Sequence, residues 1–505
     1  MASTTLIKLI TAFSLLSHNV IVNAASTTSP TEPIIRDPGN KTDIPVGKCE
    51  HMMNGAIMLN LENVGLRQLA SNFTASPSIG CIDLENNGLL NVSTTAFSRI
   101  QNLLYLNLAR NKISLAQISA LESHSQLRTL IFDANDVSSI SDDRSFYMNN
   151  TFPRLTYLYL RNLNLTGFPS LKFAPRLSHL YLSSNKLSNG SETVAFLEDA
   201  PSTLSVLDLT DNNLQGLNIS KFGSSLGELR LDGNKIEKIC GKTYCGEQAL
   251  YLETVESLQS LSISRNGLSS IEPDAFDEIE NLVHLDLSHN RIDIIRKNTF
   301  EMCGTLRNLS LESNLLIEMP DFSGCGSLTH LSLSHNKLRI VSNETFQENS
   351  GLIFVDLSYN RISTIEVEAF KNQRVLEQLD ISHNRIKVFP YTWITPLTNM
   401  KILRVNDNRL ENLEDLRLAY ARMNSRLNHV YLQNNLITKL HTSSLYIMLR
   451  PIPNVTLEFL DSSNQSSIAV PFPNEEPEPC ECRCDKMNEI DDKNSTESEV
   501  ASFFG

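Results

Sequence analysis

After residue 25, no stretch of this 505-residue chain approaches the roughly 18 consecutive apolar residues that a membrane-spanning helix needs. The last residues, Val500 to Gly505, are too short to form the hydrophobic tail of a lipid-anchor signal. A Gly-rich phosphate loop, a zinc-ligand helix and a nucleophile elbow are also missing, so the sequence offers no starting point for nucleotide, zinc or serine-hydrolase chemistry. The expectation is a non-enzyme without a cofactor or metal. Positive charge is in short supply, with 43 Lys and Arg against 57 Asp and Glu and a formal net charge of -14. That balance argues against nucleic acid or an anionic membrane as the main partner. An apolar fraction of 41% is slightly low for a globular chain and suits a core only one layer thick.

What the chain has instead is a period. The segment Leu282 to Asn290 reads LVHLDLSHN, and its frame LxxLxLxxN recurs with Asn at 87, 111, 135, 185, 212, 234, 266, 290, 314, 336, 360, 384, 408 and 435. With degenerate frames ending at Val64 and Leu163 there are sixteen copies, spaced mostly by 22 to 24 residues. Periods of this length mark repeats that stack into a solenoid, each contributing a short strand to a long parallel sheet. Within a frame, period-two alternation turns Leu285 and Leu287 inward and His284 and Asp286 outward. Asn at the strand end can bond the backbone of adjacent turns, and stacked amides form a ladder. Ten residues on, Phe97, Phe222, Phe276, Phe300, Phe346 and Phe370 share one slot and are expected to form an aromatic spine.

With these Leu, Asn and Phe slots in register, the chain resembles the extracellular leucine-rich repeat family seen in Toll-like receptor ectodomains, over about residues 56 to 462. The resemblance implies an α/β solenoid: a leucine-rich repeat horseshoe with a long parallel concave sheet and an irregular, short-helical convex side. The wider plan is similar to the insect leucine-rich immune proteins, although the coiled-coil heptads of many of those proteins are lacking here.

The expected organisation is a signal peptide over 1–25, a disordered leader over 26–48, a capped solenoid over 49–464 and a disordered acidic tail over 465–505. Twelve glycosylation sequons, at Asn40, Asn72, Asn91, Asn149, Asn164, Asn189, Asn218, Asn308, Asn343, Asn454, Asn464 and Asn494, agree with a secreted, extracellular protein. In that compartment Cys49 and Cys81 are expected to bridge across the first coil. Cys240 and Cys245 can close a small loop inside the long step from Asn234 to Asn266. Cys303 and Cys325 occupy matching slots in neighbouring coils, and two readings stay open for them: a disulfide, or buried thiols filling a small core position. Cys480, Cys482 and Cys484 complete an odd total of nine and point to an intermolecular disulfide, in a homo- or hetero-oligomer.

Histidines in LSHN-like phrases, such as His289, His335 and His383, read as repeat consensus. A ligand surface is expected where the outward strand slots depart from it, at Tyr105, Tyr157, Tyr159, Arg161, His179, Tyr181 and Arg230, since Tyr and Arg are enriched at binding hot spots. A glycan on Asn308 would direct partners to the N-terminal half or to a flank. The functional expectation is a secreted protein that binds a protein or a microbial or glycan ligand, in innate-immune recognition or as an adaptor. The alternative is a matrix or adhesion component without a pathogen ligand.

Overall fold

A computed structural model describes residues 57–74, 76–119, 124–135, 148, 150–189, 199–222, 225–242, 245–246, 248–421, 426–438, 455–459 and 467–469. The repeat frames become strands of one 18-stranded sheet running from Ile57–Asn60 to Ser467–Ala469. Pairing is parallel and in register from coil to coil: Leu285 sits beside Leu309, and Leu309 beside Leu331. The inward leucines Leu282, Leu285 and Leu287 are 0–2% exposed. Each such burial stabilises the fold by about 1.5–3 kcal/mol. The last pairing is antiparallel, Ser467–Ala469 against Thr456–Glu458, so the sheet continues past the boundary expected at residue 464.

Asn at the strand end works as the frame suggested. The Asn290 amide donates to Ile263 O of the preceding coil at 2.9 Å and to its own Leu287 O at 3.0 Å. Its Oδ1 accepts the N–H groups of Asn266 and Leu268, both at 3.1 Å. One side chain therefore satisfies backbone groups in two coils at once, which no apolar residue can do. The residue before the ladder Asn takes a left-handed conformation, with φ +54° at His289, +55° at His335 and +52° at both Tyr359 and His383. For non-glycine residues that costs on the order of 1 kcal/mol each. It also turns those side chains away from the core.

On the other side of the solenoid the Phe spine is present, with Phe276 and Phe300 stacked at 5.7 Å and Phe346 and Phe370 at 5.7 Å. Small parallel sheets accompany it, among them Ile340–Val341 with Thr364–Ile365. Among the described residues helix is scarce: Leu115–Ser119 is a short α-helix, and Ser220–Phe222, Leu413–Leu416 and Leu418–Tyr420 are 3-10 turns. The 32-residue step from Asn234 to Asn266 loops out here. Its strand Ala249–Tyr251 inserts between Leu217–Asn218 and Lys238–Cys240, so one long repeat supplies two strands to this side.

Cysteines divide by position. Cys240 and Cys245 form the expected small-loop disulfide, with Cα atoms 6.5 Å apart. Cys81 is disulfide-bonded; Cys49, Cys480, Cys482 and Cys484 lie outside the described residues. The disulfide between Cys303 and Cys325 does not form: both are buried free thiols. Cys325 Sγ is directed instead at the Phe300 carbonyl oxygen, 3.8 Å away. Hydrogen bonding with the adjacent Cys303 thiol, and then burial, push the Cys325 thiol well above its ordinary range, which disfavours the thiolate needed for exchange.

Candidate interaction surface

Two rows of side chains run across the outer face of the early strands. Strand register puts Thr129, Tyr157, His179, Val206 and Glu228 in one row, with Ile131, Tyr159, Tyr181, Asp208 and Arg230 beside them in the other. Parallel stacking at strand spacing forces equivalent rings into contact. Tyr159 and Tyr181 stack at 4.4 Å with a 7° interplanar angle, and Tyr157 meets His179 at 4.5 Å. Arg161 covers them, its guanidinium carbon 5.3 Å from the Tyr159 centroid and 5.8 Å from that of Tyr181. The Arg161 guanidinium is held in place by Asp133, Nε to Oδ2 at 2.8 Å.

Tyr157, Tyr159, Arg161, His179 and Tyr181 are therefore brought together, while Tyr105 and Arg230 stand on other strands, and much of the group is closed to solvent. Tyr105 is 5% exposed, Tyr159 0% and Tyr181 6%. Burial pushes the Tyr159 and Tyr105 phenols far above their usual range. Burial likewise lowers His179 and raises Asp133, the latter against the pull of Arg161. These tyrosines hold neighbouring coils together rather than offering themselves as contacts. Half-buried Tyr157, Arg161, His179 and Arg230 remain accessible, with Arg230 Nε bonded to Glu228 Oε1 at 2.7 Å. Asn308 stands exposed on the same face of its strand Asn308–Ser310.

A second constellation escaped the sequence reading because each member matched the consensus. The left-handed residues before the ladder Asn stack from coil to coil at the sheet edge. His335 lies 4.1 Å from Tyr359 and Tyr359 lies 3.9 Å from His383, with interplanar angles of 9° and 13°. His383 Nε2 then meets Asp407 Oδ2 at 3.3 Å. The signal available in the sequence was the phase: three aromatic rings in one slot of three successive repeats. Farther along the same edge, a cleft of about 350 Å³ is lined by Lys235, Glu237, Gln248, Arg265 and Arg291, so both signs of charge face it. Among the described residues, no cluster of His, Cys, Asp or Glu is arranged to hold a metal ion, and no helix is long and apolar enough to cross a membrane.

Comparison with known proteins agrees with this architecture. The family described as Leucine rich repeat matches residues 256–316, 321–362 and 350–410. CD180 antigen of Mus musculus is 30% identical over 191 residues, which is 36% of this chain and 27% of that protein. Keratocan of Danio rerio is 27% identical over 213 residues, 41% of this chain and 56% of that protein. The matches thus span between about a quarter and just over half of those relatives' lengths. Among solved structures, a leucine-rich repeat protein of Leptospira interrogans superposes with a TM-score of 0.56 at 21% identity, covering 81% of this chain and 98% of that one. That likeness concerns the fold.

Proposed function

We propose that this chain, an extracellular-type leucine-rich repeat protein resembling Toll-like receptor ectodomains, is a secreted recognition or adaptor protein. Its ligand is a protein or a microbial or glycan surface bound through the solenoid, in a setting of innate-immune recognition. The observation that supports the reading is the parallel register that runs from Ile79–Asp83 to Thr456–Glu458, which lays outward side chains in continuous rows that a partner can meet along many coils. Within and beside those rows Tyr157, Arg161, His179 and Arg230 are accessible, amphipathic side chains of the kind that anchor interfaces. Their rotamers are already fixed by stacking and ion pairing, so less side-chain entropy is lost on binding. The tail cysteines Cys480, Cys482 and Cys484 add a covalent tether to a second copy or to another protein.

The test uses full-length protein expressed in cultured cells, with and without Ser at positions 480, 482 and 484. Conditioned medium is run on non-reducing gels, and whatever is released by reductant is identified by mass spectrometry. A defined circulating partner lost in the Ser variant is the expected outcome. Retention of all the protein in the cell layer would overturn the reading in favour of a matrix or adhesion component.

A further inference from the structure

The turn ending each strand exposes a strip that the face described above does not use. The ladder Asn and the residue two positions after it are buried, so the residues one and three positions after the Asn point to solvent beside the ring stack. In the coils of Asn336, Asn360 and Asn384 these slots hold Lys337, Arg339, Arg361, Arg385 and Lys387, the sixth position being Ser363. Backbone N–H groups of Lys337, Arg361 and Arg385 donate to Leu316 O, Leu338 O and Ile362 O at 2.8, 2.9 and 2.8 Å, which sets these cations on consecutive rungs. Rungs of a parallel sheet are about 4.8 Å apart.

Among the described residues, none of the five cations has a carboxylate within 4.0 Å. On the sheet face of the same coils Asp356 and Asp380 are folded back, each accepting a backbone N–H two residues on, at 2.9 and 3.0 Å. The strip is also bounded. Leu315 and Ile317 fill the equivalent slots in the preceding coil, while Asp407 and Glu411 flank Arg409 in the following one. Five uncompensated cations, concentrated on three coils of a chain with net charge -14, form a short linear counterpart to an anionic polymer.

Ring geometry selects the polymer. Both faces of Tyr359 and one face each of His335 and His383 are covered, leaving edges that carry ring nitrogens and a hydroxyl, of which His383 Nε2 already meets Asp407. Single-stranded nucleic acid is held largely by bases stacking on open aromatic faces, and this stack has few to give. Sulfates and hydroxyls of a sugar chain need cations and edge-on hydrogen-bond donors instead. We propose that this edge strip binds a segment of sulfated polysaccharide. The proposal rests on the extracellular reading above, because such polymers lie outside cells, but its test does not.

Purified full-length protein is passed over a sensor carrying a heparin-derived oligosaccharide at physiological salt, together with a variant in which Lys337, Arg339, Arg361, Arg385 and Lys387 are all Gln. The control variant carries Gln at Lys112, Lys186 and Lys235, cations in the same slot of other coils. Wild type is expected to bind, the strip variant to lose roughly tenfold or more in affinity, and the control to change less than twofold. All three should keep the same melting temperature, since the altered side chains are at the surface. Absence of wild-type binding, equal loss in the control, or competition by a single-stranded oligonucleotide or by fully desulfated heparin as strong as that by heparin would each overturn the proposal. Secretion is scored separately, so failure here leaves the recognition reading standing and failure there leaves this one measurable.

Discussion

Cys325 Sγ faces the main-chain carbonyl oxygen of Phe300 at 3.8 Å, in a buried row where later coils place amides. One coil on, Asn349 Nδ2 donates to Phe322 O at 3.0 Å and to Cys325 O at 2.9 Å; in the coil after that, Gln373 Nε2 donates to Phe346 O at 2.6 Å. The slot therefore needs a donor for the carbonyls of the Phe spine, and a thiol supplies a weak one where a disulfide supplies none.

This row predicts the chemistry of both thiols. Cys303 and Cys325 are 1% and 0% exposed. Native protein treated with iodoacetamide should leave both unlabelled, and protein unfolded without reductant should label both. A pair that stays unlabelled after unfolding would be a disulfide.

Replacing Asn349 by Leu keeps the branching at Cγ but removes the donor and so strands the Phe322 and Cys325 carbonyls in the core. Unsatisfied buried groups cost about 1–3 kcal/mol each, so a loss of about 3 kcal/mol is expected in urea unfolding. The exposed Asn372→Leu, which removes a single bond to Gln347 O, should cost far less.

Tyr159 and Tyr157 should separate in the same assay. Removing the fully buried ring with Tyr159→Ala is expected to cost about 3–5 kcal/mol, as for other large core aromatics. Half-buried Tyr157→Ala should cost much less and report on ligand binding. Equal melting temperatures for the two variants would contradict the burial difference.

Asp286 gives a pH prediction with a definite sign. Burial raises its carboxyl pKa above the usual ~3.9, against hydrogen bonds from Ser288 and the charge of His289. The folded state then holds the proton more tightly than the unfolded chain, so this group's contribution to stability falls as pH rises from ~4 through the raised folded value. Asp286→Asn keeps an oxygen for the Ser288 N–H, which Asp286 Oδ1 accepts at 2.9 Å, and removes the half-buried charge. The variant should melt higher than wild type at pH 7, with the difference shrinking towards pH 4.

Glycan mapping should distinguish two sequons. Asn189 is already used by the fold, its Nδ2 donating to Gly216 O at 2.6 Å and its Oδ1 accepting the Gln215 N–H at 2.7 Å. Asn308 is exposed on its strand. Glycopeptide mass spectrometry of protein from a eukaryotic host should find Asn308 occupied and Asn189 largely bare.

The period in Leu and Asn determined the fold without help from coordinates, because those slots satisfy requirements that repeat in every coil: an apolar residue wherever a strand faces the core, and an amide wherever two backbones need the same partner. Phe276 and Phe300 could be placed in the spine on the same ground. Surface character was not legible in this way. Tyr159 and Tyr157 sit two residues apart on one strand with the same side-chain chemistry, and only packing between coils sealed one and left the other accessible. His335 and His383 looked like decoration, since nothing local says that a left-handed turn will carry them into a stack with Tyr359. Cys303 and Cys325 matched in phase, as a disulfide requires, but the Phe300 carbonyl that Cys325 faces belongs to a different coil. Repetition along the chain fixes what every coil shares; contacts between coils decide what each side chain does.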